Sequence, residues 1–239
     1  MIVLFTDFGL EGPYTGQVEA VLCTQAPRTP VIHLFSDLPA FDIQAAACLL
    51  PAFTGRFPPG TVFLCVVDPG VGSARPGVVA KVDGRWFVGP NEGLFALLVR
   101  RATAFECWKL TDDPQAAPSF NGSDVFAPVA ARLARELTPA GDVIGAASLD
   151  RPDWPDDPRR VVYIDRYGNA MTGVRAATVT ADAPLRVNGH VLQAARTFAD
   201  VGQGTAFWYE NANGLVEIAV NAGRADTQLG LDVGTRFDL

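Results

Sequence analysis

Three short apolar runs dictate most of what this chain can become: IVLFT at 2–6, VIHLF at 31–35 and TVFLCVV at 61–67. Each is rich in β-branched and aromatic residues and too short for a core helix. Each therefore reads as a strand buried on both faces, as in a parallel sheet. They start about thirty residues apart, the length of a strand–helix–strand unit. Helix-like stretches fill the gaps, at 14–25 and at 42–53, where DIQAAACLLPAF carries Pro51 near its end. Strands alternating with helices predict an α/β domain of three layers with a mostly parallel sheet.

Further along, 78–82 and 86–88 flank Asp83-Gly84, a hairpin turn. Helices are expected at 91–102 and 124–137, the second with Asp124 as N-cap and Pro139 closing it. DRPDWPDDPRR at 150–160 holds three prolines and mixed charge. It marks a boundary: an α/β domain over 1–150, a linker over 151–160 and a second domain over 161–239. Beyond it come short β-like runs at 161–164, 184–187, 191–193, 206–209 and 215–220, with Asn188-Gly189 as a hairpin turn. That texture predicts a small β-barrel.

Composition narrows the function. Hydrophobic residues make up 49% and charged residues 19%, with a net charge of −7. This is a globular chain, and without a basic stripe it does not read as a nucleic-acid binder. No apolar run reaches the roughly 18 residues that span a bilayer. MIVLFTDFG has no basic leader and meets an acid at Asp7, so a cytoplasmic protein is expected. The four cysteines, Cys23, Cys48, Cys65 and Cys107, lie in apolar surroundings without CxxC spacing and read as reduced, buried thiols. Two histidines, His33 and His190, argue against a histidine metal site, and no metal or cofactor is expected.

In an open parallel sheet, ligands bind beyond the carboxyl ends of the strands. Asp7 and Asp68 each follow an apolar strand directly and should face one crevice. Either aspartate alone reads equally well as the cap of the turn behind it. Two together, each followed by a glycine-containing loop, favour a shared ligand. The loop Asp68-Pro69-Gly70-Val71-Gly72 lacks a nucleotide-loop pattern, because Arg75 takes the place of a third glycine. Its glycines let the chain double back and carry Arg75 towards Asp68. The pair is then either a site or an ordinary salt bridge.

The segments FTDFG (5–9), LPAFDIQAAACLL (38–50), FPPGTVFLCVVDPGVGSAR (57–75), FVGPNEG (87–93), FNGSDVFAPVAARLA (120–134), YIDRYGN (163–169) and FWYENANGLVEIAVNAG (207–223) carry a resemblance over nearly the full length. The chain resembles the S-adenosyl-L-methionine hydrolases, or SAM hydroxide adenosyltransferases, which are related to fluorinases and chlorinases. The resemblance implies a homotrimer, with substrate between the N-terminal domain of one subunit and the C-terminal domain of the next. It implies that Asp7 holds the ribose diol, that Phe41, Tyr167 and Phe198 line the nucleoside pocket, that Asn169 and the Ala222 backbone read adenine, and that Asp165 pairs with the methionine ammonium.

The same resemblance makes Asp68 and Arg75 the catalytic core. Halogenating relatives carry a tyrosine where Asp68 stands. A carboxylate repels a halide and holds a water, which implies hydrolysis to adenosine and L-methionine. One position departs from the family pattern. FHGRD is usual, and this chain reads FNGSD, so Asn121 replaces a catalytic histidine and Ser123 an arginine. Asn121 still donates and accepts hydrogen bonds but cannot titrate near neutral pH. Binding of S-adenosyl-L-methionine or adenosine without turnover, halogenation, and a structural oligomer with relic motifs are the competing readings.

Overall fold

The computed structural model describes residues 1–111 and 120–239 of the chain. They form two compact units, Met1–Arg151 and Pro152–Leu239.

The first unit is built on a seven-stranded sheet. Its elements in chain order are β1 (Ile2–Thr6), α1 (Tyr14–Gln25), β2 (Val31–Phe35), α2 (Ile43–Thr54), β3 (Val62–Val66), β4 (Gly77–Val82), β5 (Arg85–Pro90), α3 (Ala96–Arg100), β6 (Phe105–Leu110), a π-helical turn (Gly122–Phe126), α4 (Ala127–Ala134) and β7 (Gly141–Val143). The strand order is β2-β1-β3-β5-β4-β6-β7. The β2-β1-β3-β5 half is parallel, and β4, β6 and β7 extend it by antiparallel pairing. Ile2, Leu4, Val62, Leu64 and Val66 pack under Val18 and Leu22 of α1 and Ala127, Ala130 and Ala131 of α4. The other face is aromatic: Phe5 meets Phe35, Phe35 meets Phe53 of α2, and Phe63 stacks on Phe87 at 4.9 Å. Helices on both faces give the three layers.

Local chemistry explains the boundaries. The Asp42 carboxylate accepts from the Ala45 N–H and caps α2. Asp83 and Gly84 both take positive φ, as the β4–β5 hairpin turn requires. Gly89 has no room for a side chain, because a Cβ would run into the Cys65 carbonyl. This lets β5 lie close against β3.

Four expectations are corrected here. β2 is an edge strand with Ile32 and His33 exposed, so it is not buried on both faces. The helix expected over 91–102 is reduced to α3. The one expected over 124–137 starts with the π-helical turn, which puts Asp124 inside it rather than at its cap. Cys23 is exposed on α1, whereas Cys48, Cys65 and Cys107 are buried.

The second unit carries β8 (Val161–Ile164), β9 (Ala170–Arg175), β10 (Leu185–Val187), β11 (His190–Ala194), β12 (Ala206–Glu210), β13 (Leu215–Val220) and the short α5 (Ala225–Leu229). They form a sheet of order β10-β11-β12-β13-β9-β8. The chain's last residues bridge its two edges. Arg236 pairs with Arg160 beside β8, and Asp238 pairs with Arg186 of β10. Phe237 is buried among Val161, Leu185, Ile218 and their neighbours. The sheet is thereby curled into a barrel-like wall. Asn188 and Gly189 have the positive φ values of the hairpin turn.

Candidate active site

Register brings together the ends of β1 and β3, which Asp7 and Asp68 follow. Thr6 of β1 pairs with Val66 of β3, and the Asp7 N–H donates to the Val66 carbonyl at 3.3 Å. Asp7 is half-buried. Its carboxylate accepts from the Phe41 N–H at 3.2 Å, across from the loop after β2. Burial pushes the Asp7 carboxyl above its ordinary value, and the Phe41 N–H opposes that rise. Phe41 has a φ of 65°, in the left-handed region, and its ring is 74% exposed. A bulky residue held in that conformation stores strain of a kind that clusters at ligand sites.

Asp68 and Arg75 meet as the glycine turn predicts. Arg75 Nη2 donates to Asp68 Oδ2, and the two side chains are only 7% and 8% exposed. Gly72, at a φ of 83°, supports the reversal. The pair has a third member. Arg75 Nε lies 3.2 Å from Glu92 Oε1, just beyond β5. Burial draws the Arg75 guanidinium below its ordinary value, and Glu92 opposes this. Asp68 Oδ1, Arg75 Nε, Arg75 Nη1 and the hydroxyl of Thr6 are buried and make no hydrogen bond among the described residues, so the Arg75–Glu92 contact is an ion pair without hydrogen-bond geometry. Such groups carry a desolvation cost unless something pairs with them.

Asn121 opens the π-helical turn at the head of α4 and is half-buried. Gly122 sits against Phe8 and Phe120, where a Cβ would lie 2.9 Å from Phe8. Phe8, Tyr14 and Phe120 pack edge-on or tilted around this point. This aromatic knot ties Asn121 to the segment that carries Asp7. Ser123 is buried.

The remaining expected residues lie in the second unit. Asp165, after β8, is spent on its own turn. Oδ1 accepts from the N–H groups of Tyr167 at 2.8 Å and Asn169 at 2.9 Å, and Oδ2 accepts from Asn169 Nδ2 at 3.1 Å. Lone pairs on Oδ2 and on the Asn169 carbonyl remain for a ligand. Tyr167 is 75% exposed. Ala222 has a φ of 55°, a second strained residue at an expected binding position. Phe198 packs edge-on against Phe207 at 5.2 Å and Tyr209 at 5.4 Å.

Two groups escape the sequence reading. One is Glu92. The other is Glu217, buried in β13, which accepts from the Tyr209 hydroxyl at 2.6 Å and Asn211 Nδ2 at 2.7 Å. Burial raises the Glu217 carboxyl, and the nearby Asp165 charge adds to the rise. The alternation of β13 places residue 217 within a strand but gives no sign that an acid would be tolerated there.

Known proteins match this arrangement over its whole length. Residues 2–141 match the SAM hydroxide adenosyltransferase N-terminal domain, and residues 159–238 match the corresponding C-terminal domain. An (R)-S-adenosyl-L-methionine hydrolase of Thermus thermophilus is 39% identical, with 98% of this chain and 96% of the relative covered. A fluorinase of an Actinoplanes species is 22% identical over 93% of this chain and 91% of its own. The crystal structure of an uncharacterised conserved protein from Thermotoga maritima superposes with a TM-score of 0.88 at 28% identity, covering 99% of this chain and 98% of that one. Two family domains in the expected order, the first carrying the strand-end aspartates, leave one conclusion: the chain belongs to the SAM hydroxide adenosyltransferase family.

Proposed function

We propose that this protein hydrolyses S-adenosyl-L-methionine to adenosine and L-methionine. The observation that carries this reading is the buried Asp68–Arg75 pair with one carboxylate oxygen unpartnered, next to Asp7 at the ends of adjacent parallel strands. Asp68 Oδ1 accepts a hydrogen bond from a water, whose oxygen attacks the ribose C5′. The C5′–S bond breaks and its electron pair stays on sulfur, which turns the sulfonium into the neutral thioether of methionine. The surplus water proton passes to Asp68 and then to solvent.

The leaving group is already activated, so alignment matters most. Holding the reactants in line supplies about 7–11 kcal/mol in favourable cases. General-base help contributes about 10²- to 10⁴-fold. Asp7 binds the ribose diol, Asn121 orients water or sugar, and Phe41 covers the nucleoside. Asn169 and the Ala222 backbone read adenine, Phe198 and Tyr167 flank it, and Asp165 takes the ammonium. No metal or cofactor enters the reaction.

The exposed Phe41 ring in one unit and the exposed Tyr167 ring in the other support a homotrimer in which substrate lies between neighbouring subunits. Among the described residues no helix is long and apolar enough to cross a membrane, and a cytoplasmic location is proposed. Asn121 favours one competing reading, binding without turnover, since it cannot titrate where the family carries histidine.

Incubation with S-adenosyl-L-methionine in ¹⁸O-labelled water decides between them. Label in the adenosine 5′-hydroxyl is the expected product. Binding without products would establish the binder, and a halide-dependent nucleoside would establish a halogenase.

A further inference from the structure

We infer that Glu92 is a positioning residue for the Asp68–Arg75 pair, acting through Arg75 rather than on the substrate. The inference rests on the reading of that pair as the water holder. Three observations support it. Arg75 donates to Asp68 through Nη2, and its Nε lies 3.2 Å from Glu92 Oε1 as an ion pair, so one guanidinium sits between two carboxylates. Gly70 is shaped around that junction, since a Cβ there would come within 2.8 Å of Glu92 Oε1 and 3.2 Å of Arg75 Nε. Glu92 also follows β5, the parallel neighbour of β3, and so stands on the sheet edge that carries Asp7 and Asp68.

The arrangement has a chemical use. A guanidinium is a rigid planar fork, and the Glu92 charge beside Nε draws the back of that fork away from Asp68. With Arg75 held from behind, its contact with Asp68 stays on Oδ2. Oδ1 then remains unpaired and available to a water. Without the anchor the fork is free to swing and take both Asp68 oxygens in a bidentate pair, which removes the water acceptor. The second carboxylate also shares the cation.

The test is the steady-state kinetics of Glu92→Gln and Glu92→Ala between pH 5 and 9, with Asp68→Asn measured beside them. Glu92→Gln should lower kcat by about tenfold or more, with KM little changed, because a misplaced catalytic group costs on that scale. Glu92→Ala should fall further. Wild-type kcat in Glu92→Gln would overturn the inference, and so would an effect on KM alone. If Glu92→Ala does not fold, the neutral isostere still decides. Full activity in Asp68→Asn would instead sink the reading of the pair itself. An inactive Asp68→Asn with a wild-type-like Glu92→Gln removes only the role of Glu92.

Discussion

Asp68 and Arg75 form a buried ion pair in which a single carboxylate oxygen is engaged. The two halves of that pair should fail differently. Asp68→Asn keeps the shape and removes the charge that accepts the water proton. Turnover should drop about 10²- to 10⁴-fold with the fold intact. Arg75→Met leaves the Asp68 carboxylate buried without its cation. Loss of one partner of a buried pair costs about 3–5 kcal/mol, so this variant should show a clearly lowered melting temperature as well as lost activity. Calorimetry beside the kinetic assay separates the two effects.

Asp7 ties stability and binding to pH in opposite senses. Its carboxyl is raised in the fold by burial. A group with a raised folded value contributes stability fully present below its unfolded value and lost as pH rises through the folded one. The diol needs the ionised form, which appears only above the folded value. Asp7→Asn should therefore hold or gain stability near neutral pH. It should also weaken adenosine binding by about ten- to a hundredfold, the worth of a hydrogen bond to a charged group. Thermal melts and titration calorimetry of one protein stock check both signs.

Much of this site is legible in the amino-acid sequence. The β-branched runs at 2–6 and 61–67 place Asp7 and Asp68 at strand ends, and Gly70 and Gly72 point Arg75 back. Glu92 is not legible there, because residues 86–88 read only as the second arm of a hairpin. β5 is that, antiparallel to β4, but it is also parallel to β3, and a local pattern reports only one neighbour. The π-helical turn at Asn121 is illegible for a related reason. Its Gly122 packs tightly against Phe8, which is remote in the sequence. The exposure of β2 follows from its place at the sheet edge, which strand composition does not encode.

Phe41 should behave as a residue kept for its ring at a backbone cost. A non-glycine residue in the left-handed region costs about 1–2 kcal/mol. Phe41→Gly removes that strain and adds a similar unfolded-state entropy. Its melting temperature should stay close to wild type while nucleoside affinity falls. Phe41→Ala keeps the strain and loses the ring, so it should be the less stable of the two. A Phe41→Gly variant with unchanged affinity would remove Phe41 from the pocket.

Glu217 contributes a pH-dependent stability that a single substitution removes. Both of its oxygens are engaged, by Tyr209 and Asn211, and its carboxyl is raised by burial. Stability from this group is present at low pH and declines as pH rises through the raised value. Glu217→Gln has no charge to bury and should flatten that decline in melts from pH 5 to 9. Tyr209→Phe leaves an acceptor without its donor and should cost about 1–3 kcal/mol. Equal slopes in wild type and Glu217→Gln would mean that another group titrates.

Residues 236–239 should act as the closing stitch of the second unit. Arg236 and Asp238 pair with residues at opposite edges of its sheet, and Phe237 between them is 5% exposed. Removing the four residues would strip a buried aromatic, worth about 3–5 kcal/mol in a core. It would also leave the β8 and β10 edges with unpaired backbone groups, which template association between chains. Phe237→Ala removes the packing alone. The truncated protein should therefore melt lower than Phe237→Ala and aggregate at concentrations where Phe237→Ala does not. Light scattering during thermal melts distinguishes the two losses. If both variants melt and scatter alike, the stitch is packing only and the backbone bridges contribute nothing measurable.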